Sequence, residues 1–436
     1  MEIQDVETFY NDEFQVKNVR KLIRSARAEE IAERTKLDSS DGHVIDEHDQ
    51  FYRDHKLLLT LFRILAVMPV QRGKIGKITF GWSSLPMIYA YVFYAITTII
   101  VVLVGIERFD VLLNKSNKFD EYIYSIIFIL FLLPHFWIPF VGWGVATEVC
   151  DYKNGWGFYQ LHYYKISGKN LVFPHLSTLI IVLSSGCLIV AVIFLLTLSA
   201  LLEGFTLYHT TAYYHIITMI NMNCALWYIN CRAIKNASES LADIFQRDVN
   251  DHCSAYIIRH YRVLWLELSE LLQAIGNAYA RTYSTYSLFM ITNITVSIYG
   301  FTSDILENSI TFSFKQTGLL VAGVYCFILL YIFCDCSHAA SEIIVDKVRT
   351  TLLNVRVNDV EVDVRKEVQL FLTALRLNPP TVSLKGFTDV NKELMASVSF
   401  TTFRLIKSDG RCLMESPNGR FVLFKGPRRV SQADRF

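Results

Sequence analysis

This chain has no excess of charge of one sign. Its 436 residues carry 42 Lys and Arg against 41 Asp and Glu, a formal net charge of +1. Without a whole-chain basic field, nothing draws nucleic acid to it, and no acidic bias favours cationic partners. Charge of either sign is scarce, at 19% of residues where soluble domains carry about 25%. Cysteine pairing motifs are missing as well: nine cysteines are scattered with no spaced CxxC pairs, which excludes a disulfide framework and a zinc site. The one close pair, Cys334 and Cys336, reads better as two small apolar residues than as a metal or palmitate site. The chain contains no GxSxG, HExxH or Walker loop, and no carboxylate pair or metal cluster with catalytic spacing. Neither an enzyme nor a cofactor is expected. The stretch from Met1 to Asp54 is polar, with no apolar signal-peptide core, so insertion into a membrane would rely on an internal segment.

Apolar residues make up 52% of the chain, aromatics 14%, and the mean hydropathy is +0.30. Runs free of Asp, Glu, Lys and Arg that approach or exceed the roughly 20 residues a spanning helix needs are Trp82 to Ile106, Tyr122 to Thr147, Leu171 to Leu202, Gly204 to Cys231, Thr282 to Ser303 and Gln316 to Cys334. A seventh, Leu394 to Phe403, covers only about half of the ~30 Å hydrocarbon before Arg404 interrupts it. The expected organisation is an amino-terminal region over 1–81, six transmembrane helices within 82–334 with a helical connector at 232–281, a helical segment over 335–393, a partial seventh helix at 394–403, and a basic tail over 404–436. No internal repeat supports an inverted-repeat transporter.

Loop charge sets the orientation, because positive residues stay cytoplasmic. One side collects Arg63, Arg72, Lys74 and Lys77, then Lys153, Lys165 and Lys169, then the connector from Arg232 to Arg281 and the segment from Lys347 to Lys385. The other has Arg108, Lys115, Lys118 and Lys315. The amino terminus is therefore expected in the cytoplasm, opposite to a G-protein-coupled receptor.

On the cytoplasmic side, Leu264, Leu268, Leu271, Leu272 and Ile275 recur at helical spacing, with Glu267 and Glu270 off that stripe. Val368, Phe371, Ala374 and Leu375 repeat the pattern before Asn378-Pro379-Pro380 ends the helix. Such helices either hold subunits together beneath the membrane or bury their stripes within one chain. His48, His55 and the acidic run Asp46-Glu47-His48-Asp49 read as a solvated charge cluster rather than a metal site.

Within the spans ionisable residues are nearly absent; Arg281 and Asp335 sit only at span ends. Aromatic and neutral polar residues are dense instead. His135, Trp137 and Trp143 flank Pro134 and Pro139, two prolines able to kink the second span and open space beside it. Tyr208, His209, Tyr213, Tyr214 and His215 gather at the outer end of the fourth. His135, Trp137, Tyr213, Tyr214 and His215 are the candidate ligand-binding residues for a small neutral molecule; an interfacial aromatic belt is the competing explanation. Thr282, Tyr283, Ser284, Thr285, Tyr286, Ser287, Thr292, Asn293 and Thr295 in the fifth span are expected to hydrogen-bond neighbouring helices.

The stretch EVQLFLTALRLNPPTVSLKGFTDVNKELMASVSFTTF, Glu367 to Phe403, resembles the carboxy-terminal signature of insect gustatory receptors. FYRDHKLLLTLFRILAVMPVQRGKIGKITFGWSS, Phe51 to Ser84, is similar to the carbon dioxide receptor subgroup of that family. The resemblance implies an all-α, polytopic, seven-helix subunit of inverted topology in the plasma membrane of sensory neurons. It further implies a ligand-gated cation channel assembled as a hetero-tetramer with related subunits and opened by a small neutral ligand such as carbon dioxide. Its last helix would line the pore, which puts Ser397 and Thr401 there. One departure stands out: the family's closing Thr-Tyr, apolar, Gln-Phe motif begins at Thr402 and Phe403 but never reaches Gln-Phe. Eight basic residues follow Phe403. A non-conducting regulatory or trafficking subunit is the alternative reading, with a metabotropic seven-helix receptor disfavoured by the loop charges.

Overall fold

The computed structural model describes residues 42–73, 77–114, 119–201, 207–308, 314–355, 361–378, 380–384, 388–398, 413–415 and 421–423. Thr401, Thr402 and Phe403 lie outside them. The fold is helical, with two short antiparallel hairpins, Gln71–Arg72 with Ile78–Thr79 (β1, β2) and Leu413–Glu415 with Phe421–Leu423 (β3, β4).

Two short helices, α1 (Gly42–His48) and α2 (Gln50–Ile64), come first. Asp49 caps α2 by accepting from the Tyr52 amide at 2.9 Å, which satisfies one of the orphan donors of the first turn. Helix α3 (Leu85–Asn114) follows the first hairpin. The second expected span is broken at Pro134: α4 (Phe119–Leu132) stops, α5 (Pro134–Gly144) restarts with Pro134 in its first turn and carries Pro139 within it, and α6 (Ala146–Ser167) continues beyond Val145. Helix α7 is Leu176–Leu201. Helices α8 (Leu207–Asp251) and α9 (Ala255–Asn308) run 45 and 54 residues, about 68 and 81 Å at 1.5 Å per residue. Both exceed a ~30 Å hydrocarbon, so the connector at 232–281 consists of their continuations rather than a separate bundle. Helix α10 (Phe314–Asn354) packs along both, α11 (Val362–Leu377) lies against α9, and α12 spans 392–398.

Four helical stretches are long and apolar enough to cross a membrane among the described residues: Leu85–Leu113, Ile126–Gly144, Leu176–Thr197 and Gln316–Asn354. The other two expected spans lie within α8 and α9, whose polar residues reduce their hydropathy. The protein buries only 22% of the apolar window of α3 and 28% of that of α7. On α3, Ile88, Val92, Ile96, Ile99 and Leu103 form one exposed face, while Ala90, Val101 and Val104 are buried on the other. An apolar stripe of that length left uncovered in water would drive aggregation; lipid is its natural solvent.

The central helices are joined by polar tips that donate to carbonyls of neighbouring helices. Trp227 Nε1 donates to Phe333 O at 3.1 Å, Tyr283 OH to Asn223 O at 2.6 Å, Tyr286 OH to Ile220 O at 2.9 Å, and Tyr325 OH to Asn221 Oδ1 at 2.7 Å. The hydroxyl-rich fifth stretch thus behaves as interhelical glue at Tyr283 and Tyr286, whereas Thr285, Asn293 and Thr295 bond back to their own helix. Gly323 lets α10 approach α9 closely, since a Cβ there would sit 3.1 Å from that of Ser297.

Three cytoplasmic expectations resolve. The stripes Leu264 to Ile275 and Val368 to Leu375 are buried within this one chain, with Phe371 5.9 Å from both Trp265 and Phe245. This is the intrachain alternative. Glu267, off the stripe, is buried all the same, because α6 covers that side and His162 Nδ1 meets its carboxylate at 2.6 Å. The amino-terminal charge cluster is not uniformly solvated: Asp46 and Glu47 are exposed, but Asp49 and His55 are buried where α2 seats on α6. Midway along α10, Asp335 pairs with Lys392 of α12 at 3.5 Å.

Candidate functional site

The break before Pro134 aims the start of α5 into the bundle. His135 is fully buried there, with Nε2 at 2.9 Å from Thr98 Oγ1 of α3 and its ring stacked on Tyr94 at 4.8 Å and 13°. His215 of α8 approaches from the other side, 6.1 Å from His135 and 5.3 Å from Phe93 between ring centroids. Trp143, one of the aromatics that flank the prolines, closes on Tyr94 edge-on at 5.6 Å and donates to Ala66 O at 2.9 Å. The result is an aromatic nest of α3, α5 and α8 with two imidazoles inside it. His135 Nδ1 is buried without a partner, as is Trp137 Nε1 nearby on α5. A buried polar atom left unpaired costs free energy, and a small polarisable or hydrogen-bonding guest would recover it.

The five candidate residues therefore divide. His135 and His215 meet. Tyr213 faces elsewhere: fully buried, it donates to Phe128 O of α4 at 3.1 Å and packs edge-on to that ring. Consecutive helical residues lie 100° apart, so Tyr213 and His215 point about 200° apart and cannot line one wall. Tyr214 is half-buried against the core, and Trp137 is half-buried. His209, toward the end of the cluster, is buried beside Glu107 at 3.1 Å; the Tyr208 side chain lies outside the described residues. Thr98 and Tyr94, which position His135, carry no motif; a one-turn-plus spacing of polar residues on the inward face of α3 was their only signal. Ser397 is exposed on α12 with its hydroxyl bonded to Glu393 O at 2.9 Å, and Thr401 lies outside the described residues. No group of three or more metal-ligating side chains occurs among the described residues.

The family model for the 7tm chemosensory receptors matches residues 55–403. The chain belongs to that family. Among its relatives are gustatory and odorant receptor 22 of Anopheles gambiae, 37% identical over 84% of this chain and 80% of that one, and gustatory and odorant receptor 21a of Drosophila melanogaster, 35% identical over 91% and 89%. These place it among the insect gustatory receptors, as its two signature stretches suggested. The fold is shared with the insect olfactory receptor OR5 of Machilis hrabei solved in complex with eugenol, with a TM-score of 0.59 at 12% identity over 81% of this chain and 96% of that one. The chain is thus a multi-pass chemosensory receptor of the plasma membrane; the family is one of receptors rather than of enzymes.

Proposed function

We propose that this receptor is a subunit of a ligand-gated cation channel of sensory neurons, assembled with related subunits as a hetero-tetramer and opened by a small neutral ligand, with carbon dioxide the favoured stimulus. Family membership supports the receptor role. The observation that carries a small ligand is the nest around His135 and His215, with the unpaired Nδ1 of His135 inside an aromatic wall. On this reading Trp137 and Tyr214 are further candidate ligand residues, and Tyr213 positions α8 against α4. Carbon dioxide rests on the resemblance of Phe51 to Ser84 to one subgroup. The amino-terminal region through residue 81 and the segment at 335–393 lie in the cytoplasm on this reading, with spans within 82–334 and the pore approached by Ser397.

The deciding measurement is current evoked by carbon dioxide on co-expression with a related subunit. His135→Ala should move the half-maximal stimulus about tenfold, equivalent to ~1.4 kcal/mol of lost interaction, at unchanged surface expression. Parallel loss of expression and response would make His135 a packing residue.

A second reading, a non-conducting regulatory subunit, is favoured by the charges at Arg404, Lys407, Asp409 and Arg411, each costing about 2.5 to 3.5 kcal/mol at the bilayer centre. It expects a carboxy-terminal epitope hidden on intact cells. Replacement of the residues after Phe403 by an apolar stretch ending in Gln-Phe should expose the epitope and yield current.

A further inference from the structure

Helices α8 and α10 run parallel in a fixed register. Tyr325 OH donates to Asn221 Oδ1 at 2.7 Å, Cys224 Sγ to Leu329 O at 3.8 Å, and Trp227 Nε1 to Phe333 O at 3.1 Å, across sequence separations of 104, 105 and 106. Each contact lies about one turn beyond the last on both helices. The next turn brings Cys231 of α8 beside Cys336 of α10, again 105 residues apart. The two thiols meet in side-chain contact. Cys336 donates its S–H to Phe333 O of its own helix at 3.5 Å, which leaves its sulfur lone pairs to face Cys231. Cys334 cannot take its place, because two residues along a helix is a rotation of about 200°.

Position decides which oxidant could reach the pair. Cys231 is buried and Cys336 half-buried. Both stand where the charge-free runs of their helices give out, at Arg232 and Asp335. On the topology proposed above this is the cytoplasmic edge of the bilayer. One turn away, the rings of Trp227, Tyr283 and Phe333 pack together with centroids 4.4 to 5.3 Å apart and close the pair off on the bilayer side. Asn230, one residue before Cys231, accepts from the buried Lys153 of α6 at 2.8 Å; Asp335, one residue before Cys336, pairs with Lys392 of α12 at 3.5 Å. A bond between the two sulfurs would therefore tie the α6–α8 contact to the α10–α12 one. Reducing cytosol keeps such thiols free at rest. A large charged oxidant would have to shed its water to reach Cys231, whereas hydrogen peroxide is small and uncharged.

We propose that Cys231 and Cys336 are a dithiol oxidised by hydrogen peroxide to a disulfide that staples α8 to α10. Cys336, the more accessible sulfur, loses its proton and attacks one peroxide oxygen: an S–O bond forms, the O–O bond breaks, and the hydroxide released takes up that proton as water. Cys231 loses its proton as its sulfur attacks the sulfenic sulfur: the S–S bond forms, the S–O bond breaks, and the departing hydroxide leaves as the second water. Two thiols give up two electrons, and one peroxide becomes two waters. The bond closes a long loop between two core helices, which restrains the unfolded chain and stabilises the fold. The site stands apart from the ligand reading: Cys231 lies 16 residues, about 24 Å, along α8 from His215.

The full chain in membranes is treated with hydrogen peroxide, its remaining thiols are blocked with N-ethylmaleimide under denaturing conditions, and disulfide-linked peptides are mapped by mass spectrometry. The expected result is a Cys231–Cys336 link at tenfold or more the yield of any other cysteine pair, reversed by dithiothreitol, retained in Cys334→Ser and absent in Cys336→Ser. Cys231→Ser, which lacks the second sulfur, should instead leave Cys336 as a sulfenic acid that dimedone traps. Oxidation should raise the unfolding temperature of the parent chain in detergent by several degrees and leave that of Cys336→Ser unchanged. Both thiols of the parent chain still open to N-ethylmaleimide after peroxide, or Cys336 linked to Cys334 or to a second chain, overturns the pair whether or not the variants fold. A Cys231–Cys336 link without the thermal shift overturns the staple.

Discussion

Helices α3 and α7 carry apolar side chains around most of their circumference, and the protein leaves most of those uncovered; α8 and α9 carry hydroxyls, amides and indoles, and the protein covers nearly all of them. The difference follows from the solvent each pair meets. Lipid offers no hydrogen bonds, so a peripheral helix satisfies its backbone internally and needs no side-chain partner. A central helix meets other helices, where hydrophobic attraction is weak because lipid is as apolar as leucine. Packing and interhelical hydrogen bonds therefore do the joining. Thus Tyr283, Tyr286 and Trp227 bind the centre, and Ile96 and Ile189 only face outward.

The largest effect should come from the centre. Trp227 is fully buried, lies 4.4 Å from Tyr283 and 4.6 Å from Phe333 between ring centroids, and donates across to α10. Trp227→Ala should cost about 3 to 5 kcal/mol, read as loss of surface expression and a lower unfolding temperature in detergent. Retention of wild-type stability would mean that α8 and α10 are held elsewhere.

Next in size is a pH dependence around Lys153. Native Lys153 gives up its proton at a lower pH than the unfolded chain does, so between its depressed value and about 10.4 the unfolded state binds the extra proton and stability rises with pH. The slope is about 1.4 kcal/mol per pH unit per proton. His55, also lowered, adds the same sign below about pH 6.5; Asp49, raised by burial, opposes it in the acid range above about 3.9. Lys153→Met should flatten the slope and stabilise the fold, most at low pH, in denaturation curves taken from pH 6 to 9. A slope unchanged by the substitution would show that the ammonium is native.

Much of this contrast was legible in the sequence, because charge-free runs and helical stripes report the solvent a segment meets. Leu171 to Leu202 announces a spanning helix by lacking any charge, and Val368 to Leu375 announces a covered face by its spacing. What spacing could not report was the partner. Glu267 lies off its stripe, yet it is buried because His162 of α6, 105 residues away, happens to lie opposite. Lys153 read as a loop charge marking the cytoplasmic side; its burial depends on α2 folding back over α6, where Phe51 stacks on Trp156 at 4.4 Å. In the candidate site, Pro134 marked where α5 restarts with His135, while Pro139 sits within that helix. Sequence proximity groups Tyr213, Tyr214 and His215 as candidates, but the 100° step around α8 sends Tyr213 to α4.

A single hydroxyl sharpens the contrast further. Tyr286→Phe removes the donor to Ile220 O and keeps the ring. Interhelical hydrogen bonds in bilayers average about 0.6 kcal/mol, with a ceiling near 1.7. The substitution should therefore lower stability by about that average, and a double substitution with Tyr283→Phe should be close to additive if the two carbonyls they reach, on Ile220 and Asn223, act separately.

The smallest effect should lie on the lipid face. Ile99 is 61% exposed on α3. Truncating a core side chain removes its transfer free energy and leaves a cavity, and the cavity accounts for much of the loss. At Ile99 fluid acyl chains can fill the space, so no cavity survives and only the difference in insertion preference remains, about 0.3 to 0.6 kcal/mol for isoleucine at mid-helix. Ile99→Ala should thus leave unfolding in lipid bilayers within about 0.5 kcal/mol of the parent, roughly a tenth of the Trp227→Ala effect. A loss of 2 kcal/mol or more, well beyond a surface substitution, would mean that protein rather than lipid covers this face in the assembled receptor.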